Sequence, residues 1–451
     1  MGFVDALTAD QDVDVLLVDR RHQPGGHWLD AYPFARLHQP STVYGVASRR
    51  LGDDRIDATG PNAGFYERAA APAICDYYSR VMDEQLASSG KVSFLGLHDY
   101  RGQDADGHHV VSLATGVETT VRVRRRIVDA TYVASEIPSR HRPPYVVDAD
   151  AGVIPPNELV NLGAAPSGFT VIGAGKTAMD TCCWLLDMGV DPDRVRWIRP
   201  RDVWVFDRST LQPLDLVASY MLMQARWVES AALAASGAEF ARMLEAHGIL
   251  LRIDPKVEPQ VWRGPIVSQL ELRSLRTIER VVRARVLRIG SQSLSLDSGE
   301  LAAAPHEIFV DCTAAGVPAR ESRPVFEPGR MTLNYVIVGN ASLSAAVLGT
   351  LEALPMDDQE KNRLSPTIRY SGNAGELLSL ALTGIGGAAA RARVRELSAW
   401  QERCRLDFAV GAQGRDRDGE IVAAMGVLKR NIGTAIARYA RQTRAAATTT
   451  P

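Results

Sequence analysis

Residues 169–180, FTVIGAGKTAMD, constrain this chain more than any other stretch. The β-branched run Thr170, Val171 and Ile172 enters Gly173-Ala174-Gly175-Lys176-Thr177-Ala178, and Ala178, Cys182, Leu185 and Leu186 leave it at helical spacing. That order reads as strand, tight turn, helix. In a G-x-G-x-x-A turn the first glycine makes the bend, the second lets backbone approach a pyrophosphate, and the small third residue lets helix and strand pack closely. The helix start then offers free N–H groups to the anion. Glycine-rich turns also join strands to helices where nothing binds, so the context decides. Gly189 stops the helix, Asp191-Pro192 makes a turn and residues 195–198 read as the next strand, which completes a βαβ unit.

At the end of that second strand an NAD site places a carboxylate on the ribose, about 20 residues beyond the glycines. This chain has Arg199 and Arg201 there, with no acidic residue before Asp202. Two guanidinium groups suit a 2′-phosphate, so the expectation is NADP(H) at Gly173, Gly175, Lys176, Thr177, Ala178, Arg199 and Arg201. The alternative is that both arginines are ordinary surface residues.

Composition limits what these motifs can mean. A chain of 451 residues, 46% hydrophobic and 23% charged, has apolar content for two or three domains. A net charge of −2 leaves no electrostatic footprint for nucleic acid or an anionic membrane, so a small-molecule substrate is expected. The first residues lack a basic segment followed by an apolar one, and no stretch reads as a membrane span. A cytoplasmic protein is therefore expected. Cys75, Cys182, Cys183, Cys312 and Cys404 form no C-x-x-C pair and no metal-ligand cluster with histidine. This argues against a dithiol-relay reductase and against a metal centre.

At the start of the chain, residues 1–8 read as a helix end and residues 13–19 as a strand closing on an acidic residue, Asp19, with Arg20 beside it. This is the second half of another βαβ unit, with Asp19 placed to hold an adenosine ribose. By the spacing of about 20 residues used above, the matching glycine turn falls upstream of Met1. The reading frame is thus expected to begin earlier, and an open edge is expected beside residues 13–19.

Residues 25–46, GGHWLDAYPFARLHQPSTVYGV, carry Gly25, Gly26, Trp28, Tyr32, Pro33, Arg36, Ser41 and Tyr44 in order. In this the sequence resembles the flavin-containing monooxygenases and Baeyer–Villiger monooxygenases. The bland reading of the same run is a Gly/Pro-rich loop anchored by aromatics. The resemblance continues at Asp129-Ala130-Thr131, a domain crossover in which Tyr132 replaces the family's glycine, followed by Ser135 and Pro138. An echo at residues 308–314 implies re-entry into the first domain. Residues 336–340 would then be a buried strand, and residues 342–354 a helix facing the flavin, with Asn340 and Ser344 as contacts or simply as caps of that helix.

The resemblance implies FAD and NADP(H) as cofactors. The implied fold is α/β, with two Rossmann-like dinucleotide-binding domains: an FAD domain of residues 1–160 and 301–370, and an NADP domain of residues 161–300 carrying a helical insertion near 209–250. Residues 371–451 form a helical C-terminal region with a disordered tail, which either covers the active site or mediates self-association. Two departures stand out. Residues 145–162 contain neither histidine nor tryptophan, where the families carry a histidine fingerprint, and His38 follows the arginine region where the Baeyer–Villiger enzymes have an acid. His38 is the candidate proton-transfer residue, with a structural hydrogen-bonding role as its alternative. The expected activity is an NADPH-dependent flavin monooxygenase acting on a small organic substrate. A flavin reductase without oxygen insertion and a truncated non-catalytic nucleotide-binding protein are the alternatives.

Overall fold

The computed structural model describes residues 1–449. Its organising element is an all-parallel five-stranded sheet in the order Val281–Val282, Val195–Ile198, Phe169–Ile172, Ile308–Asp311, Val153–Ile154. Phe169–Ile172 is buried at every position, as its uninterrupted apolar and β-branched run requires of a central parallel strand. The helix Lys176–Asp187 follows and packs Ala178, Met179, Cys182 and Leu185 against the sheet. Strand, turn, helix and second strand thus lie as the residue pattern predicts, in an α/β fold.

This sheet is wider than the 161–300 span expected for it. Val153–Ile154 and Ile308–Asp311 both pair within it, so the echo at residues 308–314 closes the central unit and does not yet re-enter the first one. A second sheet, with Val203–Asp207 between Leu250–Leu251 and Val261–Val267, was not anticipated. Gly264 and Pro265 interrupt the apolar run of its last strand, and the register shifts beside them, which hides a strand from a reading by alternation. The helical insertion is present as Val217–Leu233 and Gly237–Ala246.

The N-terminal part is divided among three small sheets, one of them the antiparallel His98–Gln103, His108–Ser112 and Glu118–Val121. Val15–Val18 pairs in parallel with Val92–Leu95, and Ile127–Asp129 pairs in parallel with Arg330–Thr332. The other edge of Val15–Val18 and the other edge of Ile127–Asp129 have no strand partner among the described residues. Helix Gly2–Asp10 packs Phe3, Val4, Ala6 and Leu7 against helix Ala341–Ala353 in one apolar core.

Residues 336–340 do not form the expected strand. The N–H groups of Val336 and Ile337 donate to Ser344 Oγ at 3.2 and 3.0 Å, and that of Gly339 donates to Tyr370 Oη at 2.7 Å. Side chains take the donors that a ladder would use. In the C-terminal region, helices Leu377–Arg391, Arg395–Arg403 and Gly419–Thr449 follow the apolar pattern, with the break at residues 411–418 in place. The last helix runs through Thr449, into the stretch expected to be disordered; Thr450 and Pro451 lie outside the described residues.

Candidate functional site

The glycine turn is fixed from three sides. Gly173 has φ +138°, and a Cβ there would strike the Cys312 carbonyl, so only glycine fits. Its N–H donates to Ile198 O at 2.9 Å, and its carbonyl accepts from Trp197 Nε1 at 2.7 Å. Gly175 caps the following helix without any side-chain hydrogen bond, and nothing lies within 4 Å of where its Cβ would point. The first turn of the helix therefore keeps unsatisfied amides beside open space, which is the geometry of a phosphate cradle. Ala178 is fully buried against the strand, and Thr177 is half-buried.

Lys176 turns back along its own helix to pair with Asp180, whose other oxygen accepts from Tyr32 Oη at 2.7 Å. Around this pair the two halves of the molecule share a buried charged network. From the N-terminal part come Tyr32, half-buried His38 and Arg68; from the central part come Lys176, Asp180, Arg208 and Glu271. Glu271 lies 3.5 Å from Arg68 and makes a close ion pair with Arg208, while forming a capping box with Ser268. Burial alone would raise the Glu271 carboxyl, but Lys176, Arg208 and Arg68 outweigh it and hold it at about 2. The sequence signal available for this node was the S-x-x-E capping pattern of Ser268 and Glu271.

His38 lies in the same network, where burial and then Lys176 depress its pKa to about 3. An imidazole so shifted is neutral near pH 7.

The two arginines part ways. Arg199 is 2% exposed, sits over the Trp197 ring and lies 3.2 Å from Asp202, whose other oxygen is held by Arg283. It is an internal counter-ion, and the expectation of a phosphate contact is corrected for this residue. Arg201 is exposed and forms no ion pair among the described residues. Its charge lies close enough to Arg263 to depress that group's pKa, after burial.

On the N-terminal side, Gly25 (φ +138°) and Gly26 (φ +57°) make a turn that leads to Trp28, whose Nε1 donates to Tyr44 Oη at 2.7 Å. Asp19 is half-buried at its strand end and accepts from the Arg21 N–H at 2.9 Å, while exposed Arg20 faces Asp99 at 3.5 Å. Arg36 is exposed and donates to Arg68 O at 3.2 Å. Ser41 is buried, and its Oγ accepts from the Ala69 N–H at 2.8 Å. Asn340 caps helix Ala341–Ala353 through Oδ1 to the Leu343 N–H, and its Nδ2 donates to Leu406 O; Ser344 is 2% exposed and bonded to backbone throughout. Asn340 thus caps the helix, whereas Ser344, inside its first turn, ties the preceding turn to it.

One residue had no sequence signal. Arg405 donates to both Tyr44 O, at 3.0 Å, and Val46 O, at 2.8 Å. With Leu406 it joins the loop carrying Tyr44 to the N-cap of helix Ala341–Ala353.

Among the described residues no helix is long and apolar enough to cross a membrane, and no cluster of His, Cys, Asp or Glu has the makings of a metal site. No family model matches the chain. Among solved structures it is similar to cyclohexanone monooxygenase in its open form, at 12% identity over 86% of this chain and 96% of that one, with a TM-score of 0.49. Thioredoxin reductase of Lactococcus lactis is similar at 12% identity over 78% and 94% of the two chains, with a TM-score of 0.41. In sequence it is 38% identical to uncharacterized protein Rv2000 of Mycobacterium tuberculosis and to uncharacterized protein Mb2023 of Mycobacterium bovis, in each case over its whole length and 83% of theirs. At that identity and coverage, this chain belongs to the family of these mycobacterial proteins.

Proposed function

We propose that this protein is an NADPH-dependent FAD oxidoreductase that acts as a monooxygenase on a small organic substrate. The observation that carries the reading is the uncapped start of helix Lys176–Asp187, with open space at Gly175 and exposed Arg201 at the end of the next parallel strand. A dinucleotide pyrophosphate fits the free amides, and a 2′-phosphate fits Arg201. Lys176, committed to Asp180, sets the local charge and does not reach out to solvent.

The flavin reading rests on the ordered run from Asp19 through Gly25, Gly26, Trp28 and Tyr44. Asp19 would take the ribose, with Arg20 and Arg36 as flanking charges, and the hydrogen-bonded Trp28–Tyr44 pair would form one wall. Ser41, Asn340 and Ser344 would act by shaping the backbone around them, since their side chains are spent internally. FAD, when bound, supplies hydride acceptance from NADPH and reaction with oxygen. What the chain itself supplies is orientation, and the buried node around Glu271 fixes how its two halves meet.

The test is a purified protein incubated with FAD, assayed for bound flavin, for NADPH against NADH oxidation, and for oxygen uptake. Stoichiometric flavin with NADPH-driven oxygen uptake that rises with an organic substrate is expected. NADPH oxidation that reduces an added acceptor without oxygen uptake would favour the reductase reading, and absence of flavin binding would leave a non-catalytic nucleotide-binding protein.

A further inference from the structure

The loop that carries Gly25, Gly26, Trp28 and Tyr44 meets helix Lys176–Asp187 at two points. Tyr32 Oη donates to Asp180 Oδ2 at 2.7 Å, and the Phe34 ring stacks on Trp184 at 4.9 Å with an interplanar angle of 16°. Lys176, Asp180 and Trp184 recur at i, i+4 spacing, so they share one face of the helix. The two loop rings also touch each other, at 4.8 Å, and the Ala35 N–H closes a turn on Tyr32 O at 2.9 Å. The loop thus presents Tyr32 and Phe34 to that face as a preformed pair.

Asp180 divides its oxygens between the two halves of the molecule: Oδ1 pairs with Lys176, and Oδ2 accepts from Tyr32. Burial and then Asp180 push the Tyr32 hydroxyl well above its ordinary range, so it stays protonated and donates, while Thr177, inside the glycine turn, acts on the same hydroxyl in the opposite sense. Lys176 is the first residue of the helix and lies beside the open space at Gly175. One ion pair and one hydrogen bond therefore separate the Gly175 cradle from the loop.

We infer that Tyr32 is a positioning residue through which occupancy of the cradle is felt in the loop. A phosphate on the free amides at the helix start shares the charge of Lys176 with Asp180, without Lys176 leaving its place. A carboxylate relieved of part of its cation is a stronger acceptor, so the Tyr32 hydrogen bond tightens and the loop is held harder against the helix. This coupling rests on the dinucleotide reading of the cradle and deepens it, because the stretch so braced is the one assigned to the flavin. Linkage makes it reciprocal: what the nucleotide does to the loop, the loop does to nucleotide affinity.

Hydrogen exchange and calorimetric titration of the full chain with NADP+ test it. Saturating NADP+ is expected to slow exchange of the amides of residues 32–36 by about fivefold or more in the parent. Tyr32→Phe, which removes one oxygen, should abolish that slowing and weaken NADP+ by about fivefold, the low end of coupling between sites. Asp180→Asn keeps the shape of the side chain without its charge and should likewise lose the nucleotide-dependent slowing. A merely structural Tyr32 would instead speed loop exchange equally with and without NADP+ when replaced, and leave nucleotide affinity unchanged. That result, or parent loop amides indifferent to bound NADP+, would overturn the proposal. Circular dichroism shows whether the variants are folded, and the parent compared with and without NADP+ decides the matter where one is not. NADP+ failing to bind the parent would remove the dinucleotide reading and this coupling together, whereas binding without a loop response removes the coupling alone.

Discussion

Arg199 Nη1 lies 3.2 Å from Asp202 Oδ1 with both side chains buried, and Arg283 Nε reaches the other oxygen of the same carboxylate at 2.9 Å. A buried pair stripped of one partner leaves the other charge uncompensated, at a cost of ~3–5 kcal/mol. Arg199→Ala is therefore expected to destabilise the fold, toward the lower end because Arg283 still holds Asp202, and to affect NADPH and NADH alike. Arg201→Ala should instead weaken NADPH binding by ~1.5–3 kcal/mol, the scale of a hydrogen bond to a charged group, and leave NADH nearly untouched. Urea denaturation and nucleotide titration of the two variants separate these outcomes; a nucleotide preference that follows Arg199 would reverse the assignment.

Glu271 anchors the node between the halves. Its folded pKa of about 2 lies below the ordinary 4.5, so its stabilisation is fully present above that ordinary value and is lost as pH falls toward 2. Glu271→Gln leaves Arg68 and Arg208 without their counter-charge and should cost ~3–5 kcal/mol at neutral pH. The variant's stability should also fall less steeply below pH 4.5 than the parent's, as read from denaturant midpoints across an acid series.

His38 gives the opposite histidine case. With a folded pKa of about 3 against an ordinary 6.5, the unfolded chain binds more protons between those values, so stability falls as pH drops through that window. The slope from this one group reaches about 1.4 kcal/mol per pH unit. His38→Gln should flatten the acid slope and leave the pH profile of NADPH oxidation near neutrality unchanged. A profile shifted around pH 6 to 8 would restore His38 as a proton-transfer group.

Arg405 bonds two successive bends of the loop that carries Tyr44. Arg405→Ala should cost ~1–3 kcal/mol, because the Tyr44 and Val46 carbonyls lose their donor. Arg405→Lys, with a single point of charge in place of a fork, should recover only part of that. Proteolysis within residues 44–47 is the local readout, and equal protection of parent and alanine variant would show that the contact is dispensable.

The central βαβ unit was legible because each of its steps has a local cause: a β-branched run, a glycine required by positive φ at Gly173, and helical spacing from Ala178. What eluded the sequence depends on distance along the chain. Tyr32 and Asp180 are 148 residues apart, and neither carries a mark that it will meet the other. Arg199 and Arg201 look equivalent in sequence, yet Arg199 folds inward over Trp197 to Asp202, whereas Arg201 sits in the exposed bend between Val195–Ile198 and Val203–Asp207. The strand expected at residues 336–340 failed for a similar reason. Its apolar run is real, with Val336 fully buried, but the donors found Ser344 and Tyr370 before they found a neighbouring strand.

The open side of Val15–Val18 has a consequence for handling the protein. An unpaired parallel edge with an exposed Leu16 is a template on which another extended backbone can lay down its hydrogen bonds. The charges that flank it do not guard it: Asp12 is paired with Lys91 and Arg20 with Asp99, so neither is left to repel an arriving strand. Working at low protein concentration is what would keep copies of the chain apart at this edge.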